Sequence, residues 1–371
     1  MEHLSLTGSY REIGTELGQI TADSLKKILA KFKNSDLYEK TAQYIKKSEG
    51  AHVLSTFKDT VKKYCGNYLE EFNGLADGAG VDVNDLFLLN CDSEFAAILE
   101  ETPVSSHDVL YSSLYDGCTN ISMETDAREV YLAHTEDIGP LARDLGVMLT
   151  AKFTVGGKVT ECWTDYHIPG ILSGSKFFFN SHGIMAGANN IYQKGVNRNG
   201  IPRKFMCRSL MGIRDAAQAV KLLQKQPGIA TAYCFQYLQR TCNGVETTVI
   251  EVAGTSDGSH VTVFKPKGYY HHCNMFQHLH HECHPEESSV HRAAVISQYV
   301  NRGQTRTRRH LLSAISNRQD TKFPVHRNGQ YPDYLATGST GIFDVAAGTM
   351  EVYTDIPETS QPQHVFKVPK S

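Results

Sequence analysis

Tyr115-Asp116-Gly117-Cys118-Thr119-Asn120 is the stretch on which the reading of this chain turns. Residues before it read as helix, and residues after it as short strands. A small residue followed by cysteine at such a junction is a place where a chain could cut itself and make Cys118 a new N-terminus. An N-terminal cysteine carries its nucleophile and its base on one residue. The thiol attacks, and the α-amine, with an ordinary pKa of ~7.7–8.0, is partly neutral near pH 7 and can take the proton. A lysine amine, near ~10.4, would need heavy tuning for the same task.

Upstream, Arg11 to Phe32 has amphipathic spacing at Ile13, Leu17, Ile20, Ile28 and Leu29. Ser24 interrupts that stripe, and Gly18 is tolerated inside it. Tyr38 to Asp77 continues as helix and ends near Gly78-Ala79-Gly80, and Asp82-Val83-Asn84-Asp85 opens a further short helix with Asp or Asn as cap. No strand of any length is expected before about residue 109. Downstream, the segments 118–123, 129–134, 147–155, 159–165, 177–180 and 184–188 are short and β-rich, with turn residues between them. Helix is expected again over 203–226, then strands at 247–252, 260–266 and 269–273, and helix from about 289 to 316. A last hairpin joins 340–344 to 349–354 through Ala346-Ala347-Gly348. That order predicts an α+β fold, with helices packed outside two antiparallel sheets. No linker marks a domain boundary, so residues 1–117 and 118–371 are expected to form one integrated domain.

Composition narrows the function classes. With 371 residues, 40% of them hydrophobic, the chain has ample material for a core. A net charge of −3 leaves no basic surplus to neutralise phosphates, which argues against a dedicated nucleic-acid binder. The basic run Arg302 to Arg309 is interrupted by polar residues and reads as a solvated helix start. No apolar stretch approaches the ~20 residues of a membrane span, and Met1-Glu2-His3-Leu4 does not read as a signal peptide. The nine cysteines are odd in number and scattered, as in reduced intracellular proteins. The last residues do not form a Ser-Lys-Leu peroxisomal address. A cytoplasmic location is therefore expected, with no nucleic-acid or membrane partner and with homo-oligomerisation left open.

Asp137 lies nineteen residues after Cys118, at the end of the next expected strand. Two strands joined by a turn through Thr125-Asp126-Ala127-Arg128 run side by side, so Asp137 returns to the start of the first. There it could accept a hydrogen bond from the α-amine of a freed Cys118. On spacing alone, Glu136-Asp137 are turn acids.

The strings DGCTN at 116–120, LAHTED at 132–137, FFFNSHGIMAGANNIY at 177–192 and HHCNMF at 271–276 resemble the penicillin acyltransferase-related cysteine Ntn hydrolases. The HTED form resembles their β-alanyl-dopamine hydrolase branch, and the likeness covers nearly the whole chain. It implies a four-layer αββα fold, made as a precursor that cleaves itself between Gly117 and Cys118. Cys118 would be the nucleophile, Asp137 the orienting acid and Asn274 the oxyanion donor, although Cys273 and Met275 depart from the family's pattern. Asn189 and Asn190 stand where the family has substrate-contacting or structural asparagines. Arg327 is the candidate to steady the nucleophile, Ser339 and Thr340 resemble a strand entry, and His134 and Glu136 are candidate substrate contacts. The family is metal-independent, and no cofactor is expected.

The six histidines and two cysteines of 271–284 invite a zinc reading. Against it, His271 and His272 should point to opposite faces of a strand, and the remainder lack a recognised ligand spacing. Cys65, Cys91, Cys162, Cys207, Cys234 and Cys242 read as small buried hydrophobes. A papain-like pairing of Cys118 with a distant histidine lacks that family's local signature. The leading expectation is a self-processing amidohydrolase of small N-acyl amines, β-alanyl amines favoured, whose partners are a small-molecule amide and its own two fragments. The alternatives are an acyl-CoA-dependent acyltransferase using the same acyl-enzyme, and an uncleaved, non-catalytic binding protein.

Overall fold

The computed structural model describes residues 1–99, 117–242, 244–284, 286–300, 306–330, 333 and 335–370. The first half of the Arg302–Arg309 run and Tyr115-Asp116 lie outside the described residues. Strand β1 (His3–Gly8) leads into α1 (Tyr10–Ile20), α2 (Ala22–Lys33), α3 (Asp36–Ile45), α4 (Ser48–Tyr64), α5 (Gly66–Ala79), α6 (Val83–Asn90) and α7 (Asp92–Ile98). From Gly117 follow β2 (Gly117–Glu124), β3 (Val130–Ile138), α8 (Pro140–Arg143), β4 (Val147–Val155), β5 (Lys158–His167), β6 (Phe177–Asn180) and β7 (Met185–Asn190). Next come α9 (Arg203–Leu210), α10 (Ala216–Gln224), β8 (Tyr233–Thr241), β9 (Gly244–Thr255), β10 (Gly258–Phe264) and β11 (Tyr269–His272). The chain closes with α11 (Glu287–Ser297), α12 (Arg308–Ile315), β12 (Ala336–Asp344), β13 (Thr349–Tyr353) and β14 (His364–Lys367).

Among the described residues the strands form two sheets, ordered β1-β4-β5-β6-β7-β8-β9-β10 and β11-β2-β3-β12-β13-β14. The sheets face each other where β7 meets β2 and β3. They approach closely there: a methyl at Gly187 would lie 2.1 Å from Asn120 Oδ1, and one at Gly341 would lie 2.4 Å from the Phe177 ring. Helices α1 and α10 cover the eight-stranded sheet, while α11 and α12 cover the six-stranded one. The four-layer αββα arrangement is thus present.

Alternation along β2 and β3 builds the outer core. Ile121, Met123, Tyr131 and Ala133 face Val295, Ile296, Leu311 and Ile315 of α11 and α12. Their sequence neighbours Asn120 and His134 face the other sheet. Below the eight-stranded sheet, α1 and α5 pack backbone to backbone. Gly14 lies against the Glu71 carbonyl and Gly78 against that of Thr15, each so close that a methyl would come within 2.0 Å. Gly18 is therefore not merely tolerated, since its own methyl would meet the Leu75 carbonyl at 2.4 Å.

Several elements depart from expectation. β1 is a strand, with Leu4 and Leu6 buried, and it pairs in parallel with β4. Two alternating leucines are too short a period to read, and the partner strand lies far along the chain. β8 and β14 were not expected either. β8 is buried on both faces for most of its length, so its sequence runs apolar rather than alternating. The helix expected over 11–32 breaks at Thr21, whose hydroxyl bonds the Leu17 carbonyl. The one over 203–226 divides where Asp215 caps α10 by accepting from Gln218 N. Ser9 and Glu12 form a capping box on α1, and Asp82 caps α6 as expected. All nine cysteines are free thiols, but Cys242 is exposed on the β8–β9 turn and Cys162 is half-buried, so neither is a core hydrophobe. Among the described residues no helix is long and apolar enough to cross a membrane.

One buried cluster joins the first hundred residues to the rest. Arg208 of α9 is fully buried; its Nε bonds Glu71 Oε2 on α5 at 2.9 Å and its Nη1 bonds Glu161 Oε2 on β5 at 2.7 Å. Tyr10 and Tyr68 donate to Glu161, and the guanidinium lies 4.5 Å from the Tyr68 ring centre and 5.0 Å from that of Trp163. Arg208→Met would leave two carboxylates buried without their cation. Urea unfolding should register a loss on the order of 3–5 kcal/mol; a loss below about 1 kcal/mol would remove this cluster as the tie between the layers.

Candidate active site

The β2–β3 register sets the site. Gly117 lies opposite Asp137, Cys118 opposite Glu136 and Asn120 opposite His134. Residues directly opposite share a face, so Cys118, Asn120, His134 and Glu136 point between the sheets. Thr119 and Asp137 point the other way, toward α11. The structure brings Cys118 and Asp137 together on adjacent strands but puts their side chains on opposite faces.

Asn274, just past β11, holds Cys118 twice. Its Oδ1 accepts from the Cys118 amide N at 3.2 Å, and its Nδ2 donates to the thiol at 3.3 Å. The same Nδ2 donates to the Asn190 carbonyl at 3.0 Å. The expected bond from the Cys118 nitrogen to Asp137 is therefore not made in the intact chain. Residues of a strand send N–H and C=O to the same side, and at Cys118 that side faces Asn274, not β3. Asp137 instead accepts from Thr337 Oγ1 at 2.6 Å. Burial pushes its carboxyl from 3.8 up to about 6, against the opposing pull of Arg327, Arg292 and the Thr337 bond.

The arginine in contact with Cys118 is Arg292, not the expected Arg327. Fully buried on α11, Arg292 donates through Nη1 to the Cys118 carbonyl and to Thr119 Oγ1, each at 2.8 Å. Its Nη2 donates to Asn274 Oδ1 at 2.8 Å, and its Nη1 lies 3.9 Å from Asp137 Oδ2. In sequence it resembles any helix arginine; the only signal was its company, Ser288, Ser289 and Glu286, which all bond it. Arg327 is buried too, but it forks onto Asp333. Its Nη1 abuts Gly117, where a methyl would come within 2.6 Å.

The other expected residues divide by face. Asn189 Nδ2 donates to the Cys118 carbonyl at 3.1 Å, and its Oδ1 accepts from Asn120. Asn190 is buried, and among the described residues neither atom of its amide has a hydrogen-bond partner. His134 contacts Asn120 Oδ1 through Nδ1 at 2.8 Å and Glu136 Oε2 through Nε2 at 3.3 Å. Lys176, which sequence reading missed, donates to the other Glu136 oxygen. Ser339 lies opposite Glu136 on β12 and bonds the Tyr353 carbonyl at 3.1 Å. Thr340, next along β12, lies opposite Thr135.

The loop carrying Asn274 is anchored by Glu251 of β9. Its carboxylate accepts backbone N–H groups from Gln277, His278 and Leu279 at 2.7–2.9 Å and contacts His272 Nε2 at 3.0 Å. Burial alone would raise its pKa, but His272 and these amides outweigh it and hold the group at about 2. His271 and His272 alternate across β11, His272 inward, and His278 stacks on Phe264. Among the described residues no three His, Cys, Asp or Glu side chains are grouped to hold a metal.

Residues 123–359 match the sequence model of the acyl-coenzyme A:6-aminopenicillanic acid acyl-transferase family. The chain belongs to that family. It is an enzyme of the Ntn-hydrolase type. The match takes in Asp137, Asn274 and Arg327 and begins five residues beyond Cys118. A Drosophila melanogaster protein, beta-alanyl-dopamine/carcinine hydrolase, is 24% identical over 379 residues, spanning 96% of this chain and 93% of that one. The acyl-coenzyme A:6-aminopenicillanic-acid-acyltransferase 40 kDa form of Emericella nidulans is 24% identical over 239 residues, 62% of this chain and 59% of that protein. A solved N-acylethanolamine-hydrolyzing acid amidase ortholog from Caenorhabditis elegans superposes with a TM-score of 0.42 at 11% identity, covering 68% of this chain and all of that one.

Two predictions follow from these carboxylates. A carboxyl whose folded pKa is raised weakens the fold as pH climbs from its unfolded value through the folded one. Asp137→Asn should therefore stabilise the protein at pH 7.5 by up to about 3 kcal/mol, with little effect below pH ~4. Thermal melts at the two pH values test this, and equal shifts at both would refute it. Glu251 has the opposite sign: its stabilisation is present above about 4.5 and lost as pH falls toward 2. Glu251→Gln should cost on the order of 3 kcal/mol at pH 7 and progressively less below pH ~4, read from urea midpoints.

Proposed function

We propose that this protein is a self-processing cysteine amidohydrolase. The observation that carries the reading is the double hold of Asn274 on Cys118, amide nitrogen and thiol together. In the precursor the Cys118 thiol attacks the Gly117 carbonyl carbon, the C–N bond breaks, and a thioester joins Gly117 to Cys118 Sγ. Water then adds to that carbonyl, releasing Gly117 as a carboxylate and restoring the thiol. Gly117 has no side chain to obstruct attack, and Arg327 fills the space a side chain would need. The fragments are residues 1–117 and 118–371, held as one unit by the Arg208 cluster and by β1 on β4.

In the processed enzyme the freed α-amine of Cys118 takes the thiol proton, and the thiolate attacks a substrate amide. The amine leaves, and water hydrolyses the acyl-enzyme. Asn274 Nδ2 is the donor for the oxyanion. The unbonded Asn190 amide, with His134 and Glu136 on the thiol's face, meets the substrate. Asp137 acts through the Cys118 backbone, reaching the α-amine once the chain is cut and the Asn274 bond can rearrange. Small N-acyl amines are the substrate class, with β-alanyl amines favoured. The Drosophila relative, matched over nearly its whole length, supports that choice. The Emericella relative supports a second reading, in which an amine rather than water releases the acyl group. Nine free thiols support a reducing, cytoplasmic setting.

A mass spectrum of the purified protein tests the maturation. Two fragments beginning at Met1 and Cys118 are expected, with Cys118→Ala giving one 371-residue chain and Cys118→Ser stalling or cutting slowly. A single wild-type mass would favour an uncleaved binding protein. Release of β-alanine from β-alanyl-dopamine or carcinine is the expected activity. No release while other amides turn over would overturn the substrate class, and product ratios with added amine separate hydrolysis from transfer.

A further inference from the structure

Beside Gly117, on the α11-facing side of the six-stranded sheet, lies a cavity of about 240 Å³. That is several times the ~30 Å³ a water molecule occupies. Its walls bring together Arg143 of α8, Arg318 after α12, and His326 and Arg327 before β12, with Asp355 beyond β13. Thr337, which bonds Asp137, forms the floor.

Charge on these walls is unbalanced. Arg327 is neutralised by its fork onto Asp333. Arg143, half exposed, reaches Asp144 alone among the described residues, at 3.8 Å. Arg318 makes no ion pair among the described residues. Asp333 and Asp144, the partners of Arg327 and Arg143, do not line the cavity, so its wall presents three guanidiniums against the single carboxylate of Asp355. That wall suits an anionic group. His326, itself buried, is held neutral: burial together with Arg318 and Arg143 pushes it down to about 4, against the pull of Asp355. Arg327, the remaining cation beside it, keeps Nη1 turned toward Gly117.

We infer that this cavity is a carboxylate-binding site, gripped by Arg318 and Arg143 and communicating with Asp137 through Thr337. The carboxylate has two sources. One is Gly117 itself, which becomes a carboxylate beside Arg327 when the chain is cut; this source rests on the cleavage proposed above. The other is a free carboxylate from solution, such as an acyl product or a substrate's acid group. An anion between the two guanidiniums screens them from His326 and favours its protonated form.

Acetate is the probe, titrated into the uncut Cys118→Ala chain and followed by the His326 imidazole resonances. Saturable binding is expected, with the His326 pKa moving upward from about 4. Arg318→Gln should weaken binding about tenfold or more, since a hydrogen bond to a charged group is lost. Absence of saturable binding by the folded, uncut chain overturns the site, as does binding indifferent to both Arg318→Gln and Arg143→Gln. The processed protein then distinguishes the sources. Acetate that binds the uncut chain but not the processed one identifies Gly117 as the occupant, and acetate that binds both identifies a soluble carboxylate. A wild-type chain that never cuts fails the maturation reading by its mass, yet leaves the acetate result on the uncut chain decisive.

Discussion

The buried guanidinium of Arg292 is the interaction on which the site depends. It bonds the Cys118 carbonyl, the Thr119 hydroxyl and the Asn274 side-chain oxygen, and so ties α11 to β2 and to the loop beyond β11. A fully buried cation persists only if its donors are matched, and here two serines, Glu286, the Cys118 carbonyl, the Thr119 hydroxyl and Asn274 Oδ1 match them. Because Asn274 Oδ1 is committed to Arg292 and to the Cys118 nitrogen, its Nδ2 must point at the thiol and the Asn190 carbonyl. The orientation of the amide that meets the Cys118 thiol is thereby set from the opposite side of the sheet.

Strand alternation divides the chemistry between two faces. The thiol shares the inter-sheet face with the buried chain Asn120–His134–Glu136–Lys176, against which Gly187 packs closely. Asp137 lies on the helix-facing side with Thr337, Arg292 and the cationic cavity. Backbone at Gly117 and Cys118 lies between them. A group placed there can feel both sides.

Much of this was legible beforehand. The switch from helix to strand at residue 118, the hairpin returning Asp137 to Gly117, and the placing of Asn274 beside Cys118 followed from periodicity, turn residues and family likeness. The failures have two causes, one long-range and one local. β1 depends on pairing with β4, the breaks at Thr21 and Asp215 on side-chain bonds local to each turn, and the distinction between Arg292 and Arg327 on packing across layers. No local pattern encodes a partner a hundred or more residues away.

By itself the sequence determined which residues carry reactive groups and which strands they occupy, because side-chain chemistry and period-two alternation are properties of short segments. Only the tertiary structure decided which arginine reaches Cys118, that its nitrogen bonds Asn274 rather than Asp137, and that thiol and carboxyl lie on opposite faces. Those outcomes rest on register and on the burial of charge, and both exist only once distant strands and helices have come together.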